Sequence, residues 1–144
     1  MFPISLKRAA ICVLTIGLLM AADVAPGDGA AIRKLISAFE EGENKHDGQA
    51  IARLFLSDSP DREPVAKRIA SEGGVWTEKS PMRFRVDGIR AIHDDVALVD
   101  TTATWYQSGL IRGSSQQMLV LVKDHGEWKI SAYRRTCKAI DSEV

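Results

Sequence analysis

The chain has only two cysteines, three histidines and five prolines among its 144 residues, and no excess of either charge, since 19 basic side chains balance 19 acidic ones. There is no CxxC pair and no two histidines stand at i, i+4, so neither a structural zinc site nor a helical metal site is expected. No GxSxG, GxGxxG or phosphate loop occurs, which leaves hydrolase, dinucleotide and nucleoside triphosphate readings without support. Acidic and basic residues are interspersed. The basic stripe that displaces counterions from a phosphate backbone is therefore missing, and nucleic acid is not an expected partner. No apolar run reaches the roughly 20 residues needed to cross a bilayer.

The longest uncharged apolar run, Ala9 to Ala22, follows Lys7 and Arg8 and closes on the small residues Ala21 and Ala22 before Asp23. That is the pattern of a secretory leader. Residues 1–22 are expected to be a signal peptide, 23–27 a linker, 28–137 one domain and 138–144 a tail. The mature protein is then secreted or periplasmic, with no stable membrane span after cleavage. Met20 stands where a small residue would suit the cleaving enzyme, which keeps an uncleaved anchor as the alternative. Removing 22 residues from 144 leaves 122, enough for one domain that buries about two-thirds of its unfolded surface. Cys12 leaves with the leader, so Cys137 has no intrachain partner; it is read as a free or half-buried thiol or as one half of an intermolecular bridge.

Past the leader the chain divides by period. Ile32, Leu35, Ile36 and Phe39 form one apolar helical stripe, with Asp28 as its expected N-cap. Ile51, Leu54 and Phe55 repeat the spacing behind Asp47, the expected cap of a second helix. A polar loop over residues 57–63 precedes a short third helix, with Pro64 at its first position and Val65 and Ile69 on one side. From Val75 onward the period drops to two, the mark of strands. Met82, Phe84 and Val86 alternate with charged residues until Gly88 breaks the phase as a bulge would. Further strands are expected over 96–106, 116–123 and 127–136, with a connection over 107–113. Helices followed by an antiparallel meander define an α+β fold.

The order of elements, with His46-Asp47 between the helices, Asp95-Val96-Ala97-Leu98-Val99 at a strand entry and Asp124-His125-Gly126-Glu127-Trp128-Lys129-Ile130 at the last hairpin, resembles the NTF2-like superfamily. The likeness is to its SnoaL-like and ketosteroid-isomerase-like branches. The resemblance implies N-terminal helices packed on a curved antiparallel sheet to form a cone, whose mouth often takes a small apolar molecule. It also implies a homodimer through the outer sheet face. Alternation places Ala97, Val99, Thr101, Ala103 and Trp105 toward the helices and Asp100, Thr102, Thr104 and Tyr106 away from them. In the last strand Trp128, Ile130 and Ala132 are expected inward, and Arg134 continues that phase. An inward guanidinium needs an anion. It is either a clamp for a ligand carboxylate or phosphate, or a strand-end side chain that reaches water or a structural acid.

Phe84, Thr101, Trp105 and Arg134 are thus the expected lining of a pocket for a small, mostly apolar and optionally anionic ligand, with no cofactor and no metal. Asp100, the tempting general base, falls on the outward phase. His46, His93 and His125 all fall in turns or junctions, and adjacent residues such as His46 and Asp47 do not face each other. An isomerase, cyclase or dehydratase using an acid or base in the cone is one alternative. A non-catalytic module that pairs through its open sheet face is another.

Overall fold

A computed structural model describes residues 24–72 and 80–138. The expected leader, the strand start at Val75 and the last residues of the tail lie outside the described residues. Three helices, α1 (Pro26–Asn44), α2 (Gly48–Leu54) and α3 (Arg62–Ser71), precede four strands, β1 (Met82–His93), β2 (Val96–Gln107), β3 (Leu110–Asp124) and β4 (Glu127–Lys138). The strands pair antiparallel in chain order, so each connection is a hairpin. The helices cover one face of this curved, unclosed sheet.

α1 forms where the stripe predicts it and buries Ile32, Leu35, Ile36 and Phe39. It begins at Pro26, inside the stretch read as linker, because the ring presets a helical φ and the missing N–H is one that a first turn leaves unpaired. Asp28 is not the cap. Its carboxylate accepts the Trp128 indole N–H at 3.0 Å and pairs with Lys123 at 2.8 Å, which ties the first turn of α1 to the β3–β4 hairpin. Asp47 does cap α2, accepting the Ala50 N–H at 2.9 Å. α3 starts at Arg62, so Pro64 stands in its first turn and not at its first position. The connection expected over 107–113 contracts to a tight turn at Ser108 and Gly109, both with positive φ, and β3 begins at Leu110.

Both sheet edges are covered. On the β1 edge, Asn44 exchanges two hydrogen bonds with the Met82 backbone, each 2.8 Å, and Glu40 accepts the Phe84 N–H at 2.7 Å. On the β4 edge, Leu56 donates to Ile130, Ser59 Oγ donates to Ser131, and Asp61 accepts the Tyr133 N–H at 2.8 Å. Side chains and loop backbone thus satisfy strand groups that would otherwise template pairing with another chain.

The alternation in β2 holds: Ala97, Val99, Thr101 and Ala103 are buried, while Asp100 faces away and pairs with Arg90 at 2.9 Å. The phase break near Gly88 is a bulge, with Val86 opposite Thr101 and Gly88 opposite Asp100. Three further register shifts are absent from the sequence reading, at Ala91/His93, at Trp105/Tyr106 and in β4. Ile130 pairs with Leu121 and Ala132 with Val120, which leaves Ser131 as an extra residue in β4.

Candidate functional site

The Ser131 bulge decides which side chains enter the cone. Strict alternation from Trp128 and Ile130 would carry Ala132 and Arg134 inward. The extra residue shifts the phase by one, so Tyr133 is buried and Arg134 is exposed. Arg134 reaches around the sheet edge to Asp61 at 2.8 Å and donates to the Tyr133 carbonyl. The inward placement expected for Arg134 is therefore corrected, and its anion is a structural aspartate. Arg135 takes the inward position instead, directly opposite Gln117.

The other three expected residues do face inward. Phe84 meets Phe39 edge-on at 5.6 Å, and Tyr133 stacks on the same ring at 5.6 Å. Thr101 is buried, and its hydroxyl donates to the Gln117 amide oxygen at 3.4 Å. Trp105 lies against Gly113, where an added Cβ would sit 2.1 Å from the indole, so only glycine lets the ring close down on the strand. The guanidinium of Arg135 is 5.8 Å from the Trp105 ring centroid, within cation–π range.

The inner face therefore has two ends of different character. Ala97, Val99, Leu119, Leu121, Trp128 and Ile130 pack with α1 into a dry core. Toward Trp105, polar groups replace them: Ser115 and Gln117 from β3 and Arg135 from β4, met by Glu43 from the last turn of α1. Glu43 is 1% exposed, and one carboxylate oxygen accepts from Arg68 at 2.9 Å. Burial pushes its pKa above the ordinary carboxylate value, against the opposing pull of Arg68 and, more weakly, Arg135. Arg68 also holds Glu72 at 2.8 Å. With two carboxylates and a more open position, its charge is kept, whereas the buried Glu43 has one close guanidinium and burial wins.

Four polar atoms at this end, Glu43 Oε2, Ser115 Oγ, Gln117 Nε2 and Arg135 Nε, are buried without a hydrogen-bond partner among the described residues. Each such group costs about 1–3 kcal/mol in a filled interior. Of these four residues the sequence reading named none. Glu43 had a legible signal, since it continues the stripe of Ile32, Ile36 and Phe39 at helical spacing and is an acid where an apolar residue belongs. Gln117 and Ser115 follow from alternation in β3, but Arg135 does not, because its direction depends on the bulge.

The three histidines stay outside this cluster. His93 and His125 are exposed in hairpin turns, paired with Asp95 and Asp124, and His46 forms the α1–α2 turn with φ 55°. No group of three potential metal ligands occurs among the described residues.

No protein-family model matches the chain, and no curated protein matches it in sequence. Solved structures do match in shape. A Nostoc punctiforme domain of unknown function with a cystatin-like fold superposes with a TM-score of 0.67 at 17% identity, covering 82% of each chain. An NTF-2 like protein of unknown function from Silicibacter pomeroyi gives 0.63 at 12% identity, over 78% of this chain and 97% of that one. A ketosteroid isomerase-like protein from Erwinia carotovora atroseptica gives 0.60 at 17% identity, over 80% and 99%. Helices on an open curved meander, matched over most of their length by these structures, give this chain the NTF2-like α+β fold.

Proposed function

We propose that this chain is an exported protein that binds a small, mostly apolar molecule inside its cone, at the end lined by Phe84, Thr101, Trp105, Gln117 and Arg135. The observation that carries the reading is the set of four buried, unpartnered polar atoms beside an aromatic wall. A binding site combines apolar surface with a few placed polar groups that fix orientation, and a core built only for stability has no use for the second part. Ser115→Leu tests it, because its side chain points into the space the ligand would fill. The variant is expected to keep the wild-type melting temperature and to lose binding of a neutral apolar dye such as Nile red. A solid interior gives the reverse: overpacking by about 1–3 kcal/mol, with dye binding absent in both proteins.

A second reading rests on Glu43. A buried carboxyl whose pKa burial raises, with one unengaged oxygen, has the features of the acid or base that an isomerase or dehydratase needs. Incubation with ketones in heavy water checks this by NMR. Exchange of a carbon-bound proton that is lost in Glu43→Gln supports catalysis, and exchange at the uncatalysed rate ends it.

A further inference from the structure

The β2–β3 hairpin ends in an apolar tip that the fold does not use. β1 pairs with β2 no further than Trp105, and β4 pairs with β3 no further than Ser114. The Tyr106 N–H donates to the Pro81 carbonyl at 3.1 Å, so among the described residues the arm projects past its neighbours from Gln107 to Arg112. All of these residues are exposed, Leu110 by 63% and Ile111 by 57%. Successive strand residues point to opposite faces, so the tip is apolar on both sides. The charge around it is sparse as well. From Thr101 to Val122 the chain carries a single charged residue, Arg112, although 26% of all residues are charged and a stretch of that length would ordinarily hold several. Arg112 is the extra residue where Trp105 pairs with Gly113 and Tyr106 with Ile111, and it has no ion pair among the described residues. The two turns at the other end of the sheet are built differently, with exposed Asp94, Asp95, Asp124 and Glu127. Charge keeps those turns in water; at the β2–β3 tip two adjacent aliphatics stand in its place.

We infer that this tip inserts into the headgroup region of an anionic lipid surface, an interaction independent of the cone. A bilayer interface takes aliphatic side chains at its acyl boundary, rings with a polar end at the level of the headgroups, and cations beside the phosphates. Leu110 and Ile111, then Tyr106 across the ladder from Ile111, then Arg112 supply these in turn. The absence of any acid from Thr101 to Val122 removes the repulsion that would oppose the approach. A folded protein partner fits less well, since a stable interface covers about 800 Å² on each side and a projecting turn presents a small convex part of that. The contact is shallow and reversible, because two aliphatic side chains offer less apolar surface than a single acyl chain, which itself anchors only marginally.

Backbone hydrogen exchange of the purified full chain, followed by mass spectrometry with and without vesicles, tests the assignment. On vesicles of equal parts phosphatidylcholine and phosphatidylglycerol, exchange over residues 107–112 is expected to slow while the turns at 93–95 and 124–126 stay unchanged. The lipid concentration giving half of that protection is expected to rise roughly tenfold or more in the double variant Leu110→Ser, Ile111→Ser. It is expected to rise roughly fivefold in Arg112→Gln. In Ile92→Ser, which removes a comparably exposed aliphatic from the other end of the sheet, no change is expected. Because the tip's own amides are read, adsorption through the apolar run Ala9 to Ala22 does not imitate the result. Absence of tip protection in the wild type overturns the inference whether or not any variant folds. So does protection that persists undiminished in the double serine variant, that spreads equally to the other turns, or that is as strong on phosphatidylcholine alone.

Discussion

Glu43 occupies a position that helical spacing reserves for an apolar side chain, and the consequence is a linkage between protonation and folding. Its pKa is raised in the folded chain, first by burial, so the folded state holds this proton more tightly than the unfolded state. The stability it lends is complete below its ordinary value near 4.5 and is lost as pH rises through the elevated one. Glu43→Gln removes that dependence while keeping an acceptor for Arg68. The melting temperature of the variant relative to wild type is therefore expected to climb as pH rises above about 4.5 and then to level off. Parallel curves from acid to neutral pH would show that the carboxyl is not perturbed. Asp28 behaves oppositely: its bonds from Lys123 and Trp128 lower its pKa, so its contribution is present at neutral pH and fades as acid is added.

At the scale of elements, glycines separate contacts that need bare backbone from positions that merely tolerate it. A Cβ on Gly48 would lie 2.5 Å from the Ala66 carbonyl oxygen, so the start of α2 rests directly on the backbone of α3. Gly48→Ala forces the two helices apart, and a loss of roughly 1–3 kcal/mol in urea unfolding is expected. Gly29, inside α1, has nothing within 4 Å of its virtual Cβ. Gly29→Ala is expected to stabilise by roughly 0.5–1 kcal/mol, since alanine loses less backbone entropy in a helix. The two variants make the same chemical change, so opposite signs isolate the helix–helix contact from helix propensity.

At the scale of the whole molecule, no other element among the described residues covers the outer face of the sheet. Met118 is exposed there, with half-buried Leu98, Val120 and Ala132 beside it. Ion pairs border this apolar strip, Arg90 with Asp100 and Arg85 with Asp87. We propose that a second copy of the chain covers it. Sedimentation across a dilution series is expected to give twice the chain mass at the concentrated end and a monomer for Met118→Glu at every concentration. A wild-type monomer throughout would leave the face to water. The proposed ligand site lies on the helix side of the sheet, so loss of pairing is not expected to remove binding by itself.

Much of the architecture was legible because it follows from local periodicity. The stripe from Ile32 to Phe39, the Asp47 cap and the alternation from Ala97 to Ala103 each depend on residues a few positions apart, and each is where spacing puts it. The inward placement of Thr101 on β2 was legible for the same reason. What the chain alone could not reveal is the direction of β4 beyond Ile130. A bulge is set by how one strand registers against another and against the loop that covers its edge; here Ser59 takes the Ser131 carbonyl and Asp61 takes the Tyr133 N–H, both 72 residues away in sequence. That long-range match turned Arg135 into the cone and Arg134 out to Asp61. Periodicity therefore determined the helices, the strands and which face of β2 is inner, while tertiary pairing decided which arginine could meet a ligand, because a one-residue change of register exchanges the two faces of a strand.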